Sequence, residues 1–314
     1  MYGSSVGYAV LHDLIYRERL VQYFDWWYPD QGFNWMGLGN EKAREVIDLA
    51  VKHGKKLRGN SLASATFKVT SDVTKKSAIA HLEAIISQFP EIICWDAIHE
   101  SMGDNGHPRN CAWRKGLGSE WEKLILTWAN KIRPDIQLFY CDYFRTKIKW
   151  KSCYEKIKSW VENGISIHGV SIQLHSNLRP SVLGRFASLN IKEAEYWMKK
   201  FKDLGLLLHV PEIVVWQPAR YLNLSSLRGK SNVYKEIIRK GLGDYLLASS
   251  DVEALQCKVY RQIVDMCVRC GADLIGFWSA FDAYPWNWVG NRAKAGLWDE
   301  DFIPKKSFYQ LFGG

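Results

Sequence analysis

Two glutamates stand at the ends of apolar runs that read as strands, Ile92-Ile-Cys-Trp-Asp-Ala-Ile-His-Glu100 and Leu206-Leu-Leu-His-Val-Pro-Glu212. Paired carboxyl groups can cut a glycosidic bond with retention when they lie about 5 to 5.5 Å apart. One is protonated and helps the leaving group depart; the other is ionised and attacks carbon one. An ionised nucleophile also disfavours ionisation of its neighbour until a glycosyl ester removes the charge, which helps to divide the roles. Position alone allows a plainer reading, in which each is a surface glutamate at a strand end.

Such a pair needs a scaffold that points two distant strand ends at one place. Short apolar runs alternate here with longer stretches of helical period, the pattern of repeated β/α units around a parallel sheet. Strands are predicted at Ser5–Ala9, Tyr23–Tyr28, Lys56–Asn60, Ile92–Ile98, Gln137–Cys141, Gly169–Leu174, Leu206–Glu212 and Asp273–Trp278. Eight strands with intervening helices predict an α/β fold, the (β/α)8 TIM barrel, whose active-site face is formed by the carboxyl ends of the strands. Helix starts are expected after Asn40, Ser119 and Asn190, and Ser119 with Glu122, Asn190 with Glu193 and Ser250 with Glu253 have capping-box spacing. Gly271 is placed to stop the helix that begins after Ser250. No Pro/Gly/Ser linker or repeat divides residues 1–314, so a single catalytic domain is expected, with Gln217–Ser249 as an elaborated loop after strand seven.

A chain of 314 residues, 47% of them apolar, can bury one large core. No run approaches the roughly 18 to 20 apolar residues that cross a bilayer, so no membrane partner is expected. The first twenty residues lack a basic region followed by an apolar core. The net charge of +9 is scattered along helical stretches such as KIRPDIQ, which reads as solvated helix faces or a preference for acidic glycans rather than nucleic-acid binding. Seven cysteines, an odd number, imply no complete disulfide framework. Cys267 and Cys270 form a C-x-x-C inside a helical run with no second Cys or His pair, so packing is expected rather than metal or redox chemistry. Neither a metal nor a cofactor is expected. Fifteen tryptophans are the outlier, since the indole face stacks well on sugar rings. Trp26, Trp27, Trp216 and Trp288 are candidates for such stacking, or for the core.

The motifs resemble those of glycoside hydrolase family 10, the endo-β-1,4-xylanases of clan A. Trp95-Asp-Ala-Ile-His-Glu100 resembles the family's Trp-Asp-Val-Val-Asn-Glu, and Lys56-Leu-Arg-Gly-Asn60 its Val-Arg-Gly-His. Leu138-Phe-Tyr-Cys-Asp-Tyr143 is similar to Leu-Tyr-Tyr-Asn-Asp-Tyr, and Gly169-Val-Ser-Ile-Gln-Leu-His175 to Gly-Ile-Gly-Leu-Gln-x-His. Pro211-Glu-Ile-Val214 resembles Thr-Glu-Leu-Asp, Phe277-Trp-Ser-Ala-Phe-Asp282 the Trp-Gly-x-x-Asp segment, and Gly296-Leu-Trp-Asp-Glu-Asp-Phe-Ile-Pro-Lys305 the closing Leu-Phe-Asp-x-x-Tyr-x-Pro-Lys. Seven motifs in order span nearly the whole chain.

The resemblance implies Glu100 as acid/base and Glu212 as nucleophile. It implies that Gln173 and His175 lie at the end of strand six, with His175 bonded to Glu212 and holding it ionised, and that Trp278 and Trp286 wall the sugar beside the cleaved bond. Departures bear on substrate. His99 replaces the Asn that contacts the sugar 2-hydroxyl. Pro29-Asp-Gln-Gly-Phe-Asn-Trp35 replaces Pro-Glu-Asn-x-x-Lys-Trp, which leaves Gln31 and Asn34 to contact the glycone, Asn34 in place of the lysine. Asn60 replaces a His, and the Trp-His pair that follows falls at Ser64 and Ala65. Lost partners cost roughly 1 to 3 kcal/mol each where groups stay buried and unpaired. The expected activity is retaining hydrolysis of β-1,4-xylan or xylo-oligosaccharides by a monomer. The alternatives are a clan relative that hydrolyses or transglycosylates another β-glycan, and a non-catalytic carbohydrate-binding barrel. The resemblance favours secretion, though the chain itself leaves the compartment open.

Overall fold

The computed structural model of the protein describes residues 1–30, 33, 41–67, 69, 72–178, 189–217, 249–284 and 294–313. Eight parallel strands close into a barrel in chain order: β1 (Tyr2–Val6), β2 (Trp26–Pro29), β3 (Lys56–Ser64), β4 (Cys94–His99), β5 (Gln137–Tyr143), β6 (Gly169–Asn177), β7 (Leu207–Trp216) and β8 (Leu274–Phe277). The seam is β1 against β8, with Gly3 opposite Gly276 and Ser4 opposite Phe277. Flanking helices are α1 (Leu14–Tyr23), α2 (Glu41–Lys52), α3 (Lys75–Gln88), α4 (Ala112–Leu117), α5 (Trp121–Ile132), α6 (Lys147–Glu162), α7 (Ile191–Asp203), α8 (Ser249–Arg269) and α9 (Lys306–Phe312). This is the (β/α)8 barrel that the alternation of patterns predicts. Among the described residues, no helix is long and apolar enough to cross a membrane.

Each helix turns one apolar stripe to the barrel, as Ala43, Val46, Ile47 and Ala50 do on α2. Asn190 caps α7 by accepting from the Glu193 N–H, as its spacing predicts. Gly271 follows the end of α8 with φ +67°, a left-handed turn that glycine takes without strain. Ser119 is not the cap of α5. Glu120 occupies that position without a side-chain bond, because the chain turns one residue later than the spacing suggests. The caps expected at Asn40 and Ser250, and all of the loop after strand seven but its first residue, lie outside the residues whose side chains are described.

Strand edges differ from expectation in an informative way. The first strand runs Tyr2–Val6, earlier than predicted, and Tyr8–Leu11 forms a 3-10 turn. Tyr23 belongs to α1, and Phe24 closes that helix by donating its N–H to Leu20 O, so β2 begins only at Trp26. Strand β7 does not stop at Glu212. It continues to Trp216 beside β6, pairing Gln173 with Glu212 and Ser176 with Val215. Register shifts between Ser171 and Gln173 on β6, and between Val210 and Ile213 on β7, fall just where the functional side chains emerge.

Besides a cluster of Tyr28, Val214, Trp216, Trp278 and Ala295, two further apolar regions result. The larger lies between strands and helices, and takes in Trp27, Trp95, Trp113, Trp121 and Trp298. A smaller one fills the barrel bottom with Trp26, Cys94, Phe139 and Leu274. Trp26 and Trp27 are therefore core residues and not sugar platforms. Cys267 and Cys270 are buried packing residues, and all seven cysteines are free thiols.

Candidate active site

The site rests on a polar layer above the apolar barrel bottom. Arg58 of β3 is buried and bonds to Asp96 of β4 and Ser171 of β6. It also donates to His209 Nδ1 of β7 at 2.7 Å, and its guanidinium lies 4.9 Å from the Phe139 ring centre. Burial and this cation press the His209 imidazole well below its ordinary value, so it stays neutral and accepts. Arg58 is thus a strut across four strands, and its charge is felt by Glu212 in the site.

Above that layer, side chains from six strands converge, β2 to β7, with Trp278 just after β8. Glu100 follows β4 directly, with its N–H on Cys141 O at 2.8 Å and φ +52°. A left-handed conformation in a residue with a side chain costs on the order of 1 kcal/mol, and it aims the carboxyl back over the barrel mouth. Glu100 Oε1 lies 3.7 Å from His99 Nε2. His99 is gripped from both ends: Nδ1 meets Ser64 Oγ at 3.0 Å, and Nε2 meets Gln173 Nε2 at 3.1 Å. The same Gln173 amide nitrogen reaches Cys141 Sγ at 3.7 Å. A His99 ring nitrogen, Cys141 Sγ and a Glu212 oxygen lie within 4.8 Å of one another. His175 Nε2 approaches Glu212 Oε2 at 3.4 Å, and the His175 ring sits 5.5 Å from that of Trp216. Tyr28 stacks on Trp278 with centroids 6.2 Å apart, and its hydroxyl donates to Pro211 O at 2.6 Å.

The two carboxyl groups sit in unequal surroundings. Glu212 is buried, whereas the Glu100 side chain keeps 19% of its surface. Burial pushes the Glu212 carboxyl up to about 8, with the charges of Glu100 and Asp96 adding to the rise and His99 and Arg58 opposing it. His175 goes the other way: burial lowers it to about 4. A neutral His175 can still orient Glu212 through a hydrogen bond, although it brings no positive charge to it. Burial, with Asp96 and Glu212 nearby, likewise holds the Cys141 thiol neutral, well above its usual range.

Of the predicted site residues, Glu100, His99, Gln173, His175, Glu212 and Trp278 meet at one mouth. Asn60 is on β3 opposite Asp96, four positions before Ser64. Gln31, Asn34, Trp286 and Trp288 lie outside the described residues. Three participants were not foreseen: Cys141, Tyr28 and the Ser64 hydroxyl as partner of His99. A signal existed for the first two. Alternate residues of a barrel strand face inward, which puts Cys141 in line with Phe139, and Tyr28 with Trp26. A second unforeseen group flanks Glu100, where Arg109 bonds to the Tyr143 hydroxyl and Lys149 Nζ meets Asp142 Oδ1 at 2.7 Å.

A parallel barrel with paired carboxyl groups and aromatic walls at the carboxyl ends of its strands has the make-up of a glycoside hydrolase. Residues 28–313 match the model of glycosyl hydrolase family 10, and the chain belongs to that family of enzymes. It is 24% identical to a beta-1,4-xylanase of Dictyoglomus thermophilum over 98% of this chain and 87% of that one. It is 25% identical to an endo-1,4-beta-xylanase of Geobacillus stearothermophilus, over 86% and 83%. Xylanase 10B from Thermotoga petrophila RKU-1, solved in complex with xylobiose, shares the fold with a TM-score of 0.81 at 21% identity, covering 99% of this chain and 92% of that one.

Proposed function

We propose that this domain hydrolyses β-1,4-xylan or xylo-oligosaccharides with retention, Glu100 serving as acid/base and Glu212 as nucleophile. The convergence of both carboxyl groups around His99 carries the reading. The xylanase names of its relatives supply the substrate class. In the first step Glu100 gives its proton to the glycosidic oxygen while a Glu212 oxygen attacks carbon one. The carbon–oxygen bond breaks and a glycosyl ester forms. In the second step Glu100, now a carboxylate, takes a proton from water. The water oxygen attacks carbon one, and the ester breaks to regenerate Glu212.

Attack requires the proton on Glu100, yet burial draws one to Glu212 in the free protein. A bound glycan has to move it, by shielding Glu100 from water and by offering hydroxyl donors to Glu212. His99 lies close to both groups and is the candidate contact for the sugar 2-hydroxyl; Gln173 and His175 position it and Glu212. Trp278 supplies an apolar wall, a role also proposed for Trp286. Gln31, Asn34 and Asn60 are proposed contacts for the glycone.

Glu212→Ala should lower turnover of an aryl xyloside by at least about a thousandfold. Glu100→Gln should spare an aryl substrate with a good leaving group far more than it spares xylan, because only the poor leaving group needs the proton. Near-wild-type rates for Glu212→Ala would sink the assignment. The His99–Ser64 contact stands where the family has Asn and a Trp-His pair, and it favours one second reading: the same chemistry on a different β-glycan. Product analysis across a polysaccharide panel separates the two, and a clear preference for xylo-oligosaccharides rejects the second.

A further inference from the structure

The residues that depart from the family pattern at the centre of the site are coordination donors. His99 and Cys141 both stand where the family segments carry asparagine, and the structure brings them together with Glu212. We propose that His99, Cys141 and Glu212 form a binding site for a soft divalent cation, zinc being the best fit, whose occupancy switches off hydrolysis by tying up Glu212.

The donor set is one imidazole nitrogen, one sulfur and one carboxylate oxygen, the three ligand types of zinc sites. Three atoms no more than 4.8 Å apart share a point within about 2.8 Å of each, so contraction by less than 1 Å reaches zinc–ligand distances of roughly 2.0 to 2.3 Å. All three side chains are buried, which keeps competing water low.

Two further features point the same way. The Gln173 amide nitrogen lies 3.1 Å from His99 Nε2 and 3.7 Å from Cys141 Sγ. Oriented as it is, the polarised NH2 group donates toward both lone pairs, so these face a common electropositive group. In that arrangement His99 Nε2 is the acceptor and Nδ1 carries the hydrogen. Nδ1 meets Ser64 Oγ at 3.0 Å, and orienting a ligating imidazole through its other nitrogen is how metal-bound histidines are held. Gln173 thus keeps the donors converged until a cation displaces its amide. On binding, the Cys141 thiol loses its proton to water and the thiolate closes on the metal, so the metal's charge replaces the proton in a site that would not hold a bare thiolate. A Glu212 oxygen on the cation is unavailable to carbon one. Glu100 Oε1, 3.7 Å from His99 Nε2, is close enough to be drawn in.

The site itself stands apart from the catalytic reading, and only its inhibitory effect rests on that reading, so the two are tested separately. Cobalt(II) added to the whole protein should give the near-ultraviolet thiolate-to-cobalt absorption and the intense visible bands of tetrahedral coordination, and zinc should displace both. Cys141→Ser and Cys141→Asn should each abolish the thiolate band, with circular dichroism confirming the fold. Ser64→Ala should weaken cobalt binding roughly tenfold to a hundredfold. A crystal soaked in zinc should show its anomalous peak between the three side chains, independent of any variant. Hydrolysis by the unaltered protein should fall at least tenfold at saturating zinc and return with chelator, while each Cys141 variant should show less than a twofold change relative to its own metal-free rate. Absence of the cobalt band from the unaltered protein, its persistence without Cys141, or an anomalous peak elsewhere overturns the site. A bound metal with full hydrolytic activity would overturn the inhibition and count against Glu212 as nucleophile.

Discussion

Glu212 shows at the scale of one residue how position and surroundings divide the determination of function. Its neighbours in sequence are apolar, and its neighbours in space include Glu100, Asp96 and a neutral His175. The folded protein therefore binds the Glu212 proton more tightly than the unfolded chain does. A raised folded value makes stability greatest below the unfolded value of 4.5, and stability declines as pH rises toward about 8, by roughly 1.4 kcal/mol per pH unit. Glu212→Gln removes that slope. In thermal unfolding the variant should exceed the natural protein's stability at pH 8 by far more than at pH 5. Equal increments at both values would show that burial is not what raises this carboxyl. Above its unfolded value this buried carboxyl is a cost to the fold, as expected of a group in a preorganised site.

At the scale of elements, the barrel mouth depends on close contacts that only certain residues permit. A Cβ at Gly276 of β8 would lie 2.0 Å from the Tyr28 hydroxyl and 2.9 Å from Pro211 O. Glycine thus lets Tyr28 cross to β7 and donate to Pro211, the residue before Glu212. Gly276→Ala should displace Tyr28 and, through Pro211, Glu212. We expect kcat for xylan to fall at least tenfold while the far-ultraviolet dichroism of the barrel is retained. A rate within twofold of the natural enzyme would show that the Tyr28–Pro211 bond does not position Glu212. The register shifts on β6 and β7 act on the same side chains. They were invisible in the sequence, since nothing in the runs Gly169–His175 or Leu206–Glu212 marks where one strand slips against another. The early end foreseen for β7 has the same origin. The expected strand stops at the Glu212 carboxylate, whereas β6 supplies a partner as far as Trp216.

Across the whole molecule, the polar layer of Arg58, Asp96, Ser171 and His209 ties β3, β4, β6 and β7 beneath the site. Removing one member leaves a buried charge without its partner. Arg58→Met should destabilise the protein by about 3 to 5 kcal/mol, read as a lower midpoint in urea, and adding Asp96→Leu should restore part of the loss. A midpoint unchanged in the single variant would refute the role of strut. Distant family motifs are joined in the same manner. Asp282 of the Phe277–Asp282 segment accepts from Lys305 Nζ at 2.9 Å and from the Gly296 N–H at 2.6 Å, so the closing segment of the chain is tied to the end of β8.

The sequence by itself determined the alternation of strand and helix, the closed barrel, and the two strands that deliver Glu100 and Glu212, because hydrophobic period, caps such as Asn190 and the ends of apolar runs are local properties. It could also show that His99, Ser64 and Cys141 depart from the family pattern. Only the tertiary structure decided that Ser64 bonds to His99, that His99 and Cys141 gather around Glu212, that burial lowers His175 and raises Glu212, and that Trp26 and Trp27 are core. Those outcomes depend on which side chains share a space and how much water remains there, and strands far apart in the chain set both.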